Sequence, residues 1–73
     1  MKKRVTTYRY VCLERPPGPG AVPREGLLDS YCMAVTAPNG YAGWGYVDYD
    51  RKLTPKEQEH YDLEFWMEVI RLV

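Results

Sequence analysis

Hydrophobic and polar positions along this chain have strand character up to residue 49 and follow helical spacing from residue 54. Residues 4 to 13, Arg-Val-Thr-Thr-Tyr-Arg-Tyr-Val-Cys-Leu, are dense in β-branched and aromatic types and hold no Gly or Pro, which predicts a strand. Alternation sets Val5, Thr7, Arg9, Val11 and Leu13 on one face and Thr6, Tyr8, Tyr10 and Cys12 on the other. Both faces are half-apolar, as in a strand covered on both sides or one that leaves an aromatic face for a partner. Residues 15–26 hold four prolines and three glycines, which exclude helix and ladder alike and predict a stiff loop. Pro16 and Pro19 with Arg15 satisfy a minimal P-x-x-P, a weak ligand motif beside the reading as a plain connection.

Strand character resumes over 27–37, stops at Pro38-Asn39-Gly40 and returns over 41–49. Asn-Gly between two such runs predicts a hairpin, because both positions tolerate the positive φ of primed turns. Gly43 and Gly45, flanking Trp44, suggest a bulge or a close backbone approach. A helix then starts: Thr54 is an N-cap candidate, Pro55 occupies the first helical position, and Glu57 can close a capping box. Downstream, Glu57, His60, Glu64, Glu68 and Arg71 recur at helical spacing, with apolar residues around the rest. No Gly or Pro interrupts 54–73, which favours a helix reaching the C-terminus. Residues 62–72 also alternate as a fourth strand would, with the helix ending near Tyr61. The expected fold is α+β, a three-stranded antiparallel sheet packed against one C-terminal helix in the order β-β-β-α, as one domain spanning residues 1–73.

Size bounds what this fold can do. A chain of 73 residues buries only about 60 % of its unfolded surface, so a partner or a second copy could supply part of its stability. Its aromatic content, 14 %, sets it apart from disordered chains. Charge is zero overall and divided locally. Residues 1 to 24 carry six basic side chains against Glu14, a net of +5, and residues 53 to 73 carry five acids against Lys56 and Arg71, a net of −3. Neutrality excludes a strongly acidic DNA mimic and weakens the case for a dedicated nucleic-acid binder. Met-Lys-Lys-Arg is followed by Val-Thr-Thr-Tyr-Arg rather than an apolar run, so no secretory signal is expected, and no stretch reaches membrane-span length. A cytoplasmic protein with reduced Cys12 and Cys32, each a buried small hydrophobe, is the expectation.

Candidate chemistry is sparse. His60 is the only histidine and has no nucleophile tied to it by local pattern. Cys12, Cys32 and His60 lack metal-ligand spacing. Asp48 and Asp50 lead into Arg51 and Lys52 as a turn does, and Gly18-Pro19-Gly20 lacks the amides and following helix of a phosphate loop. No enzyme, cofactor, metal site or small-molecule substrate is expected. The informative feature is aromatic. Tyr8, Arg9, Tyr10, Trp44 and Tyr46 form the candidate interaction surface, suited to a protein partner or a second copy. The same residues with the basic N-terminal Lys-Lys-Arg give the alternative, weak binding of single-stranded nucleic acid. The rings serving only as core is the competing reading.

The stretch Trp44-Gly45-Tyr46-Val47-Asp48-Tyr49-Asp50-Arg51-Lys52-Leu53-Thr54-Pro55, followed by Glu57, Tyr61 and Leu63, resembles a pattern in small uncharacterised proteins of conjugative transposons of Gram-positive gut bacteria. The resemblance covers about a third of the chain. It implies a cytosolic accessory protein of a mobile element, with no assigned activity and no functional residues to transfer.

Overall fold

The computed structural model describes residues 2–72, and two sheets dominate it. The elements are β1 (Arg4–Cys12), β2 (Leu27–Tyr31), β3 (Val35–Thr36), β4 (Ala42–Gly43), β5 (Gly45–Tyr49), α1 (Pro55–Tyr61) and β6 (Leu63–Leu72). Four strands form an antiparallel sheet in the order β2-β5-β1-β6, and β3 and β4 form a separate two-stranded ribbon.

This corrects the three-stranded sheet capped by a C-terminal helix. The helix begins as its capping box predicts: Thr54 Oγ1 accepts from the Glu57 amide at 3.1 Å, and the Glu57 carboxylate accepts from the Thr54 amide at 2.9 Å. It ends after seven residues because Asp62 takes the left-handed conformation, φ 54° and ψ 50°. Aspartate enters that region more readily than most residues, so it stops a helix without glycine or proline. Beyond it, the alternating pattern prevails over helical spacing. Phe65, Trp66, Val69 and Ile70 suit a pleated surface, and β6 pairs with β1 along its length except at Trp66, where the register slips. The pairing satisfies the backbone on the side of β1 that β5 leaves open.

The chain folds back at Pro38-Asn39-Gly40 as expected, but not through a primed Asn-Gly turn: Gly40 has a positive φ and Asn39 does not, and the Gly40 amide donates to the Ala37 carbonyl at 2.9 Å. The hairpin it closes is interrupted. β3 and β4 pair next to the turn, and beyond Trp44 the pairing passes to β2 and β5. Glycine at position 45 is required by a close approach. A Cβ there would run into the Tyr31 carbonyl oxygen, and would lie 2.9 Å from Pro17 Cδ and 3.2 Å from Cys32 Cα.

One face of the sheet, here the inner face, holds the main core of Tyr10, Cys12, Val47, Tyr49, Leu53 and Leu63. The Pro-Gly loop is part of this core. Val22 is buried in it, and the Tyr49 hydroxyl donates to the Pro23 carbonyl at 2.6 Å. The Leu53 amide, just before the helix, donates to the Tyr10 hydroxyl at 2.8 Å. On the opposite, outer face the β3–β4 ribbon covers Val11, where Gly43 leaves room for the valine methyl.

Gly45→Ala is expected to break β2–β5 pairing, since two of the atoms it meets are backbone. Urea denaturation should show a loss of about 2 kcal/mol or more, the range of overpacked sites. The helix cap adds acid sensitivity. The Arg51 guanidinium grips the Glu57 carboxylate through two 2.8 Å hydrogen bonds and, with the Thr54 amide, lowers its pKa from 4.5 to about 2. A depressed carboxylate stabilises the fold above its unfolded pKa, and that contribution fades as pH falls from 4.5 through about 2. Thermal melts across this window should show a decline that Glu57→Gln reduces.

Candidate interaction surface

The outer face of the sheet is held by one buried carboxylate between two arginines. Asp48 on β5 lies opposite Arg9 on β1, and its side chain is fully buried. Arg9 grips both of its oxygens, with Nε at 2.7 Å and Nη2 at 2.9 Å. Arg71 reaches across from β6, donating through Nη2 to Asp48 and through Nη1 to Asp29 at 2.6 Å. Both guanidinium groups have pKa values raised by these carboxylates, through the Asp48 hydrogen bond for Arg9 and the Asp29 hydrogen bond first for Arg71. Four charges from all four strands thus form one network, which pins β2, β5, β1 and β6 side by side.

Aromatic rings line the same face. Tyr31 and Tyr46 stack with centroids 4.5 Å apart, and Trp66 meets Tyr46 edge-on at 5.5 Å. Arg9 lies 4.4 Å above the Tyr46 ring, so one guanidinium serves a salt bridge and a cation–π contact together. Tyr31, Tyr46 and Trp66 are each half-buried. A surface of this composition, aromatic with arginine, matches the residues that dominate binding energy at protein interfaces.

The five residues singled out from sequence do not share one surface. Arg9 and Tyr46 lie on the outer face. Tyr10 is buried on the inner face, edge-on to Tyr49 and Phe65 at 6.1 and 5.5 Å, and Tyr8 packs against the same core. Trp44, 54 % exposed, stands apart between β4 and β5. The outer face instead recruits Tyr31, Trp66, Asp29, Asp48 and Arg71. Trp66 and Arg71 go unread when residues 62–72 are taken as helix, and the strand alternation there was the signal for them.

Elsewhere the chemistry is limited. His60 sits on α1, exposed, with its ring edge-on to Tyr61 at 4.7 Å. Cys12 and Cys32 are both free. Cys12 is buried, and burial with the nearby Cys32 pushes its pKa up to about 11, whereas Cys32 is exposed with its thiol 3.6 Å from the Pro17 carbonyl. Among the described residues no group of three or more His, Cys, Asp or Glu side chains is placed to hold a metal ion. No described helix is long and apolar enough to cross a membrane.

A family model described as defence against restriction A C-terminal matches residues 5–67. The chain belongs to this family. The match runs from the start of β1 to the middle of β6, so it takes in the Pro-Gly loop, both arms of the interrupted hairpin and the helix cap. Neither the curated proteins nor the solved structures give a match.

Asp48→Asn should remove the charge that both arginines answer. Breaking a buried ion pair by deleting one partner costs about 3 kcal/mol or more. The low end is expected because Arg9 and Arg71 keep 19 % and 27 % of their side-chain surface in water. Urea denaturation of the variant gives the figure, and an unchanged midpoint would show that the network contributes little.

Proposed function

We propose that this chain is a non-catalytic protein-interaction module serving defence against restriction, and that it acts as an accessory protein of a mobile element. Membership of a family described by defence against restriction carries the functional class. Holding the restriction enzyme or its DNA is the way in which a binding module could serve such resistance. The outer face favours a protein target. Its two arginines are matched by Asp48 and Asp29, so the aromatic patch offers little unmatched positive charge for phosphates. Tyr31, Tyr46 and Trp66 supply rigid, half-apolar contact area around that neutral network.

The role is tested in cells carrying a restriction system. Expression of the chain should raise the recovery of unmodified incoming DNA in the restricting strain and leave a non-restricting strain unchanged. Trp66→Ala and Tyr46→Ala, introduced together, should reduce the protection while the purified variant still folds. Equal recovery with and without the protein would overturn the proposal. Steep, salt-sensitive binding of single-stranded DNA in an anisotropy titration would move the target from protein to nucleic acid.

A further inference from the structure

We infer that the inner face of the sheet carries a second docking surface, beyond the reach of α1, and that its occupant is an acidic amphipathic helix of a partner protein. The inference rests on the interaction-module reading and adds to it a surface and the chemistry of what meets it.

The inner face is only partly covered. α1 has seven residues, about 10 Å of helix, whereas the nine residues of β1 that pair with β6 run for about 30 Å. Cross-strand partners share a face. Beyond Tyr10 and Phe65, the inner face therefore continues through three pairs: Tyr8 with Glu68, Thr6 with Ile70, and Arg4 with Leu72. All four residues of the last two pairs are exposed, Ile70 at 63 % and Leu72 at 62 %. A sheet face of this kind is ordinarily closed by a helix laid across it.

A hollow marks where the chain's own cover ends. Its volume is about 220 Å³, and it is lined by the buried Tyr10 and Leu53, by Phe65, which is 40 % exposed, and by Lys52, Gln58 and Glu68. Phe65, Ile70 and Leu72 run from this hollow to the far end of β6, an apolar row about 20 Å long. About four turns of helix cover that length, with apolar anchors at i, i+4, i+7 and i+11.

Charge specifies the helix. Lys52 lies over Tyr8, 5.8 Å from the ring centroid, and Arg4 stands opposite Leu72, so the two cations flank the apolar row on its β1 side. Among the described residues neither forms an ion pair, nor do Lys2 and Lys3 ahead of Arg4, whereas both arginines of the outer face are matched by aspartates. Against these cations the strip sets one acid, Glu68. Tyr8 and Arg4 are about 13 Å apart along β1, and acids two turns apart on a helix, about 11 Å, would face both cations. Other occupants match less of the surface. A second copy offers no such helix, since α1 is the one helix among the described residues and its Glu57 is already held by Arg51. Nucleic acid would answer the cations and leave Ile70 and Leu72 without a partner. An anionic bilayer would repel Glu68 and leave the hollow unfilled.

The probe is a designed helical peptide of about 16 residues, with leucine at i, i+4, i+7 and i+11 and glutamate along the adjoining stripe. In fluorescence anisotropy at low salt, it should bind the purified chain saturably with a micromolar dissociation constant. The same peptide with lysine for glutamate should bind at least about tenfold more weakly. Ile70→Lys and Lys52→Glu should each weaken the acidic peptide roughly tenfold with far-ultraviolet circular dichroism unchanged. Trp66→Ala combined with Tyr46→Ala, on the opposite face, should leave its binding as it was. No saturation at millimolar chain, equal binding of the lysine peptide, or indifference to Ile70→Lys would each overturn the inference. Saturable binding of phosphatidylserine vesicles or single-stranded DNA that Ile70→Lys abolishes would overturn it as well. A chain that ignores the acidic peptide yet protects incoming DNA removes this inference alone, and one that binds the peptide without protecting removes the proposed function alone.

Discussion

The structure depends on the pairing of the first strand with the last. β1 occupies the interior of the sheet with β5 on one side and β6 on the other, so its backbone groups are satisfied only when the two ends of the chain meet. The Thr7 hydroxyl donating to the Val69 carbonyl at 2.9 Å links residues 62 apart in sequence. Closing so long a loop costs entropy before any contact offsets it. The cost is met by a ladder over nine residues of β1, by Tyr10 against Phe65 on the inner face, and by Arg71 reaching Asp48 on the outer one.

The two faces of this sheet use different physics. The inner face is an apolar core, completed by a short capped helix and by a Pro-Gly loop whose Val22 and Pro23 are buried. Stiff prolines suit that position, because a loop with few conformations to lose can seal a small core at low entropic cost. The outer face is organised by a carboxylate with no exposure to water, held by two guanidinium groups, with rings packed around it. Such a centre rewards one geometry. Its charges need correct strand order, since moving any of β2, β5, β1 or β6 would leave Asp29, Asp48, Arg9 or Arg71 unmatched.

The same strand that completes the sheet also ends it. β6 satisfies β1 and in doing so becomes the outer strand of the sheet. The family match covers β1, the loop, the helix and half of β6, so it takes in most of the scaffold that holds the outer-face rings in place.

By itself the sequence determined the local elements whose causes are local. β1, the Pro-Gly loop, the Asn-Gly turn and the Thr54 to Glu57 capping box each rest on residue types within a few positions, and each is found where those residues predict. It also marked Gly45 as a close approach. The fate of residues 62–72 was decided only by tertiary structure. Their apolar positions satisfy helical and strand periods alike, and the open side of β1, far away in sequence, settled the matter once Asp62 turned left-handed. The same holds for the candidate surface. Alternation separates Arg9 from Tyr8 and Tyr10, but only strand order and register bring Arg9 to Asp48 and Tyr46, and bring Trp66 and Arg71 to join them, because such contacts are made between strands and no local signal encodes them.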